Sequence, residues 1–231
     1  MHSEFSGYIS AGGKGSRLLP ITETIPKPLV RINEMSLIEL WMKQFHENHI
    51  EDLFISVHHM KEKVIDHVEN LNEKYDFNIK FIEETVPLGT AGSVFTVFNK
   101  FKNIENLIIV MADVVCNNVI ESMVREYEKS TYSLLFTSRS VEIQVPFGIV
   151  DLQNDKNIII EKPINKYNIN SGMYILNKSL KKYVPKDTVL DMPDFINSIF
   201  RTENISSLNI DNLKWFDVGN PEDLHKVRNL F

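Results

Sequence analysis

Ile9-Ser10-Ala11-Gly12-Gly13-Lys14-Gly15-Ser16-Arg17-Leu18-Leu19-Pro20, continued by Pro26-Lys27-Pro28-Leu29, places three of the chain's nine glycines within four positions. Tyr8-Ile9-Ser10-Ala11 reads as a short buried strand, and the glycines after it let the backbone turn tightly and approach a ligand. Peptide N–H groups converging in such a turn form an anion-binding concavity. Lys14, Arg17 and Lys27 add three cations to it, so the natural guest is a polyphosphate.

Two common phosphate loops do not fit. A P-loop needs Gly-x4-Gly-Lys-[Ser/Thr], whereas Gly13-Lys14 is followed by Gly15 and lacks the upstream glycine. The dinucleotide fingerprint fails because Leu18 stands where a third glycine should let helix and strand pack. A nicotinamide oxidoreductase is disfavoured on the same ground.

The 231 residues, 43% of them hydrophobic, suffice for one substantial core, and a single domain is expected over residues 8–231. Residues 1–7 carry no pattern and read as a leader, a tag remnant or the seam to a missing N-terminal regulatory module. A net charge of −6 argues against a nucleic-acid partner. No apolar run approaches the ~20 residues of a bilayer span, so no membrane partner is expected. The single cysteine, Cys116, excludes an intramolecular disulfide framework and suits the reducing cytoplasm.

Along the chain, Leu37, Ile38, Trp41, Met42 and Phe45 are spaced as the buried stripe of a helix, which makes Trp41 and Phe45 core residues. Leu53–Val57 is a continuous apolar run, as in a strand covered on both faces. A helix over Val64–Val68, a strand over Ile79–Glu83, a helix over about Thr90–Phe98 and a strand over Leu107–Met111 continue the alternation. A helix holding Val119–Tyr127 and a strand over Tyr132–Phe136 follow. Helices between strands mean a mostly parallel sheet, hence a Rossmann-like three-layer α/β/α fold. Beyond Gln144, residues 147–151, 157–161 and 172–176 read as short strands of a smaller mixed portion on the substrate side. A helix over Leu190–Arg201 with Pro193 in its first turn, a strand over Ile205–Ile210 and a helix from Pro221 complete the pattern.

Asp113 follows the apolar strand Leu107–Met111, so its carboxylate should emerge at the C-terminal edge, where open α/β sheets bind ligands. A second acid, Asp217, comes in Trp215-Phe216-Asp217-Val218-Gly219-Asn220-Pro221. Two carboxylates with phosphate oxygens make a hard oxygen cage suited to Mg2+. His58-His59 lack a partner set for a metal and read as a polar turn, and Cys116 as a packed residue.

Together these segments resemble the sugar-1-phosphate nucleotidyltransferases, the nucleoside-diphosphate-sugar pyrophosphorylases. The resemblance rests on Ala11-Gly12-Gly13-x-Gly15-Ser16-Arg17-Leu18, Pro26-Lys27-Pro28, Leu88-Gly89-Thr90-Ala91-Gly92, Asp113, Phe147-Gly148, Glu161-Lys162-Pro163, Asn170-Ser171-Gly172-Met173-Tyr174 and the Asp217 segment. It implies the nucleotide-diphospho-sugar transferase fold and an enzyme that joins a nucleoside triphosphate to a sugar 1-phosphate and releases pyrophosphate, for glycan assembly. It also implies Mg2+ on Asp113 and Asp217, and a nucleotide held by Ala11, Gly12, Gly13, Gly15, Ser16, Glu84, Gly89, Thr90 and Gly92. Gly148, Glu161 and Asn170 would hold the sugar. Arg17 would grip the leaving pyrophosphate, Lys27 the α-phosphate and Lys162 the sugar phosphate. One departure is Ala112, where the family usually has glycine; a positive φ there would strain alanine.

The chemistry is compatible with these residues. A sugar phosphate is already ionised near neutral pH, so no general base is needed and the difficulty is bringing two polyanions together. Glu84 stands near where the family reads the base edge. A carboxylate only accepts hydrogen bonds, which suits the adjacent N1–H and N2–H2 donors of guanine and favours GTP. Uridylyl, thymidylyl or cytidylyl transfer on the same fold, and a non-catalytic subunit that senses a nucleotide sugar, remain the alternatives. The sugar is open, and a homo-oligomer is compatible with the sequence.

Overall fold

Apolar runs and amphipathic stretches alternate along the chain as strands and helices, and the computed structural model describes residues 4–84, 86–151, 158–186 and 188–230. The strands are β1 (Phe5–Ser10), β2 (Arg31–Ile32), β3 (Met35–Ser36), β4 (Asp52–Val57), β5 (Asn78–Glu83), β6 (Asn106–Met111), β7 (Val114–Cys116), β8 (Leu134–Gln144), β9 (Ile149–Asp151), β10 (Ile158–Ile160), β11 (Ile164–Asn177), β12 (Ile205–Asn209) and β13 (Trp215–Asp217). The α-helices are α1 (Leu37–Glu47), α2 (Lys61–Tyr75), α3 (Gly89–Lys100), α4 (Val119–Tyr127), α5 (Met192–Ile199) and α6 (Pro221–Leu230). None is long and apolar enough to cross a membrane among the described residues.

Seven strands form the central sheet in the order β12-β8-β11-β6-β1-β4-β5. All neighbouring pairs are parallel except those made by β11, which runs antiparallel between β8 and β6. Strand alternation divides the core into two layers. Ile9, Ile55, Ile108 and Val110 face α1, α2 and α4. Tyr8, Phe54, Leu107 and Ile109 face α3 and α5. The three-layer α/β/α fold is therefore the observed one.

A third apolar cluster matters most for position. Leu18, Val30, Ile32 and Leu37 from the N-terminal part pack with Val115 of β7 and with Val218, Leu224 and Val227 near the C-terminus. Each such buried side chain contributes roughly 1.5–3 kcal/mol relative to exposure. The cluster thus clamps the glycine loop to the segment that carries Asp217.

Several boundaries differ from expectation. β1 begins at Phe5 rather than Tyr8, because Phe5 is buried against the core and Gly7 lets α1 close on the strand; a Cβ there would lie 2.9 Å from Phe45 Cε1. Only residues 1–3 of the anticipated leader lie outside the described residues. β8 runs eight residues past Phe136, since its polar half pairs with the polar half of β11 as a ribbon free of covering helices. The segment around Gly172 belongs to the central sheet as part of β11, not to a separate cover. β9 and β10 do form a small antiparallel pair apart from the sheet, and Asn157, expected to open the second of them, lies outside the described residues. The three-residue β7 was too short for any periodicity to announce.

α1 begins where Ser36 caps the Glu39 N–H at 3.3 Å, and its stripe buries Trp41, Met42 and Phe45. Trp41 does more than fill space. Its Nε1 donates to the carbonyls of Met111 at 3.1 Å and Val114 at 2.8 Å, bracketing the turn that carries Asp113. Gln44 donates to Cys116 O at 2.8 Å, pinning β7 beside it. Trp41→Phe keeps the ring but leaves those carbonyls short of a donor, and should cost about 1–3 kcal/mol in urea unfolding. An unchanged midpoint would show that the bracket carries no stability.

Candidate active site

The two acids meet through a backbone ladder. β13 pairs antiparallel with β7, placing Asp217 opposite Val114, and Val218 N–H donates to Asp113 O at 2.8 Å. Asp217 is the last residue of β13. Its proton affinity is raised, first by burial and then by the negative charge of Asp113, while Lys27 and Arg17 oppose the rise. Lys27 Nζ donates to Asp113 Oδ2 at 2.7 Å, and the lysine is 8% exposed. A Cβ on Gly219 would lie 3.2 Å from Arg17 Nη1 and 3.3 Å from Asp217 Oδ2, so guanidinium and carboxylate flank one bare glycine. Asp113, Asp217, Lys27 and Arg17 thus share one small volume.

The donor chemistry of this volume fits a hard divalent cation. Two carboxylates repel each other, one is half-buried, and a lysine ammonium already partly compensates them. No group of three or more His, Cys, Asp or Glu side chains suited to a metal occurs among the described residues. That excludes there a zinc-type cage, while Mg2+ needs only one or two carboxylates and takes the rest from phosphate and water. Ala112 is not among the residues with positive φ, so its replacement of glycine brings no strain.

The glycine loop runs from the end of β1 over this volume. Ala11 is buried and its N–H is committed to Ser56 O at 3.1 Å. Among the described residues no acceptor takes the amides of Gly12, Gly13, Lys14, Gly15 or Ser16, which leaves five donors for an anion. Gly15 adopts φ +66°, and a Cβ there would meet Lys27 Cβ at 2.9 Å; Thr22 Oγ1 fixes it by donating to Gly15 O at 2.8 Å. Lys14, Ser16 and Arg17 are exposed around the loop.

Two cavities flank the loop and share Ser10 and Gly13. One, of about 110 Å3, is lined by Ala11, Lys27, Pro28, Met111 and Asp113. The other, of about 200 Å3, is lined by Gly12, His58, Glu84, Gly89, Thr90 and Asp191 among others. Glu84 Oε1 accepts from Ser93 Oγ at 2.5 Å, and Leu88 N–H approaches Oε2 at 3.4 Å. Gly92 is buried away from the second cavity. Its bare Cα accommodates the Thr188 carbonyl, and Gly89, at φ +74°, accommodates Leu190 O. The first amides of α3 are capped by this chain: Thr90 N–H by Asp191 Oδ1 at 3.1 Å, Ala91 and Gly92 N–H by Leu190 O at 2.9 and 3.1 Å. Both glycines therefore have a packing reason.

Other expected site residues lie on the ribbon side. Glu161 Oε2 would stand 2.9 Å from a Cβ on Gly148, so these two meet. Asn170 donates to the Tyr174 hydroxyl at 2.7 Å, across the irregularity where β11 shifts register against β8. Lys162 is exposed with φ +45° and lines neither cavity.

Residues 6–231 match the family model described as nucleotidyl transferase. The chain belongs to the nucleotidyl transferase family. It is 30% identical over 224 residues to a mannose-1-phosphate guanyltransferase of Yarrowia lipolytica, covering 94% of this chain and 61% of that one. It is also 30% identical to the bifunctional protein GlmU of Methanococcus maripaludis, covering 96% of this chain and 53% of that one. The chain therefore spans less than two thirds of the length of these relatives. Among solved structures, HddC from Yersinia pseudotuberculosis superposes with a TM-score of 0.73 at 26% identity, covering 98% of this chain and 99% of that one.

The sequence reading missed His58, Ser93 and Asp191 in the cavity wall. His58 Nδ1 bonds to Glu84 O at 2.8 Å. It stands directly after β4 at the C-terminal edge, and that position was the available signal. Asp191 gave none, since it reaches the cavity from 101 residues away through its cap on Thr90. Cys116 is buried, and burial pushes its thiol up to about 12, consistent with an inert packed residue. Gly15→Ala forces a Cβ against Lys27 at positive φ and should cost about 1–3 kcal/mol in stability. It should also weaken triphosphate binding measured by calorimetry, and unaltered binding would contradict the role given to the loop.

Proposed function

We propose that this protein transfers a nucleotidyl group from a nucleoside triphosphate, GTP by preference, to a sugar 1-phosphate. An oxygen of the sugar phosphate bonds to the α-phosphorus, the bond from that phosphorus to the α,β-bridging oxygen breaks, and pyrophosphate leaves. The observation that carries this reading is the convergence of Lys27, Arg17, Asp113 and Asp217 beside five open loop amides. It is supported by family membership and by relatives named as guanyltransferases.

The nucleophile is already an anion, so these residues position and neutralise rather than move protons. The amides of Gly12–Ser16 cradle the phosphate tail, and Arg17, exposed beside Gly219, grips the pyrophosphate as its charge grows. Lys27, held by Asp113 in the free protein, serves the α-phosphate. Asp113 and Asp217 would hold Mg2+, which on binding supplies charge neutralisation and a rigid template for the phosphates. Lys162 would draw in the sugar phosphate, with Gly148, Glu161 and Asn170 beside the sugar hydroxyls. A product of this kind would serve nucleotide-sugar supply for glycan assembly, in the cytoplasm on this reading.

GTP is favoured because Glu84 offers only acceptors to the larger cavity, and guanine alone presents adjacent N1–H and N2–H2 donors. Incubation with Mg2+, each nucleotide and a panel of sugar 1-phosphates, read by mass spectrometry, should yield a GDP-sugar. A strong preference for UTP or dTTP would overturn the base assignment. Asp217→Asn should lower turnover by at least about 100-fold at saturating nucleotide, as loss of several kcal/mol of charge stabilisation requires. Near wild-type turnover would remove the acid from the mechanism.

A further inference from the structure

From the wall of the larger cavity, at Ser93, a pair of buried hydroxyls runs inward to Tyr8, and the transfer chemistry does not use them. Tyr8 and Ser93 are 0% and 3% exposed. Ser93 Oγ donates its only proton to Glu84 Oε1. Tyr8 OH and Ser93 Oγ are hydrogen-bonded, and since the Ser93 proton is already committed, Tyr8 is the donor. Both bonds point the same way, from the Tyr8 phenol to the carboxylate of Glu84.

A chain with one direction has a consequence for its last member. Aligned donors polarise one another and strengthen the final bond, which holds the Glu84 carboxylate in one orientation. Burial pushes the Tyr8 phenol well up from its ordinary value, so it stays a neutral donor. Leu88 N–H restrains the second oxygen. The lone pairs left over face the cavity as a fixed pair of acceptors, matched to two neighbouring donors on one base edge. Uracil and thymine, with alternating acceptor and donor, would need residue 84 to donate, and the chain's direction opposes that.

We propose that the Tyr8–Ser93 hydroxyl relay is a positioning device that orients Glu84 as a double acceptor, and so sets selection for the 2-amino group of guanine. The inference rests on the guanine reading above and deepens it. Neither hydroxyl touches the reacting phosphates; both act through Glu84.

The test is equilibrium binding, by calorimetry with Mg2+, of GTP, of ITP, whose base lacks the 2-amino group, and of UTP. Wild type should bind GTP at least about tenfold more tightly than ITP, the discrimination expected when a buried acceptor loses its partner. In Ser93→Ala and in Tyr8→Phe, each lacking one oxygen, the GTP-to-ITP ratio should fall toward one. Ser93→Thr, which restores a hydroxyl, should recover it. If both nucleotides weaken in proportion, or the ratio survives in both deletions, the relay is overturned while the guanine reading stands. If wild type binds UTP in preference to GTP, that reading falls and the relay with it.

Discussion

Two carboxylates held together against their mutual repulsion are the constraint to which the rest of this molecule answers. Asp113 ends a turn after β6, Asp217 ends β13, and a two-strand ladder between β7 and β13 fixes them side by side. Burial and the neighbouring charge raise the proton affinity of Asp217, so the pair is left short of positive charge that Lys27 and Arg17 only partly provide. Folding stability alone gives no reason for such an arrangement. It is sensible as a seat for a cation and the phosphates that travel with it.

The frame makes this arrangement rigid by drawing on distant parts of the chain. Trp41 brackets the Asp113 turn from α1, Gln44 pins β7, and the apolar cluster of Leu18, Val115 and Val218 ties the loop to both acid-bearing segments. The same economy governs the base cavity. Asp191 and Leu190 cap the start of α3, and the close approach of that segment accounts for the glycines at 89 and 92.

Much of this was legible in the sequence because local patterns carried it. The apolar runs at 53–57 and 107–111 read as covered strands, and Asp113 beyond the sheet edge followed from its position, whereas Asp217 was singled out by the segment that carries it. The glycine cluster announced a tight turn, and Gly15 supplies it at φ +66°. What escaped was set by tertiary context. The polar half of β8 looked like the end of a strand, because a ribbon outside the helical layers needs no apolar alternation. Gly92 looked like a ligand glycine but answers to the Thr188 carbonyl. Tyr8 and Ser93 belong to separate elements 85 residues apart, so no spacing could join them.

The most direct measurement is anomalous diffraction from crystals grown with Mn2+ and a non-hydrolysable nucleotide. The account expects one peak bridged by carboxylate oxygens of both Asp113 and Asp217, with the phosphate tail completing its shell beneath the glycine loop. A peak held by only one of them, or lying elsewhere in the molecule, would contradict it.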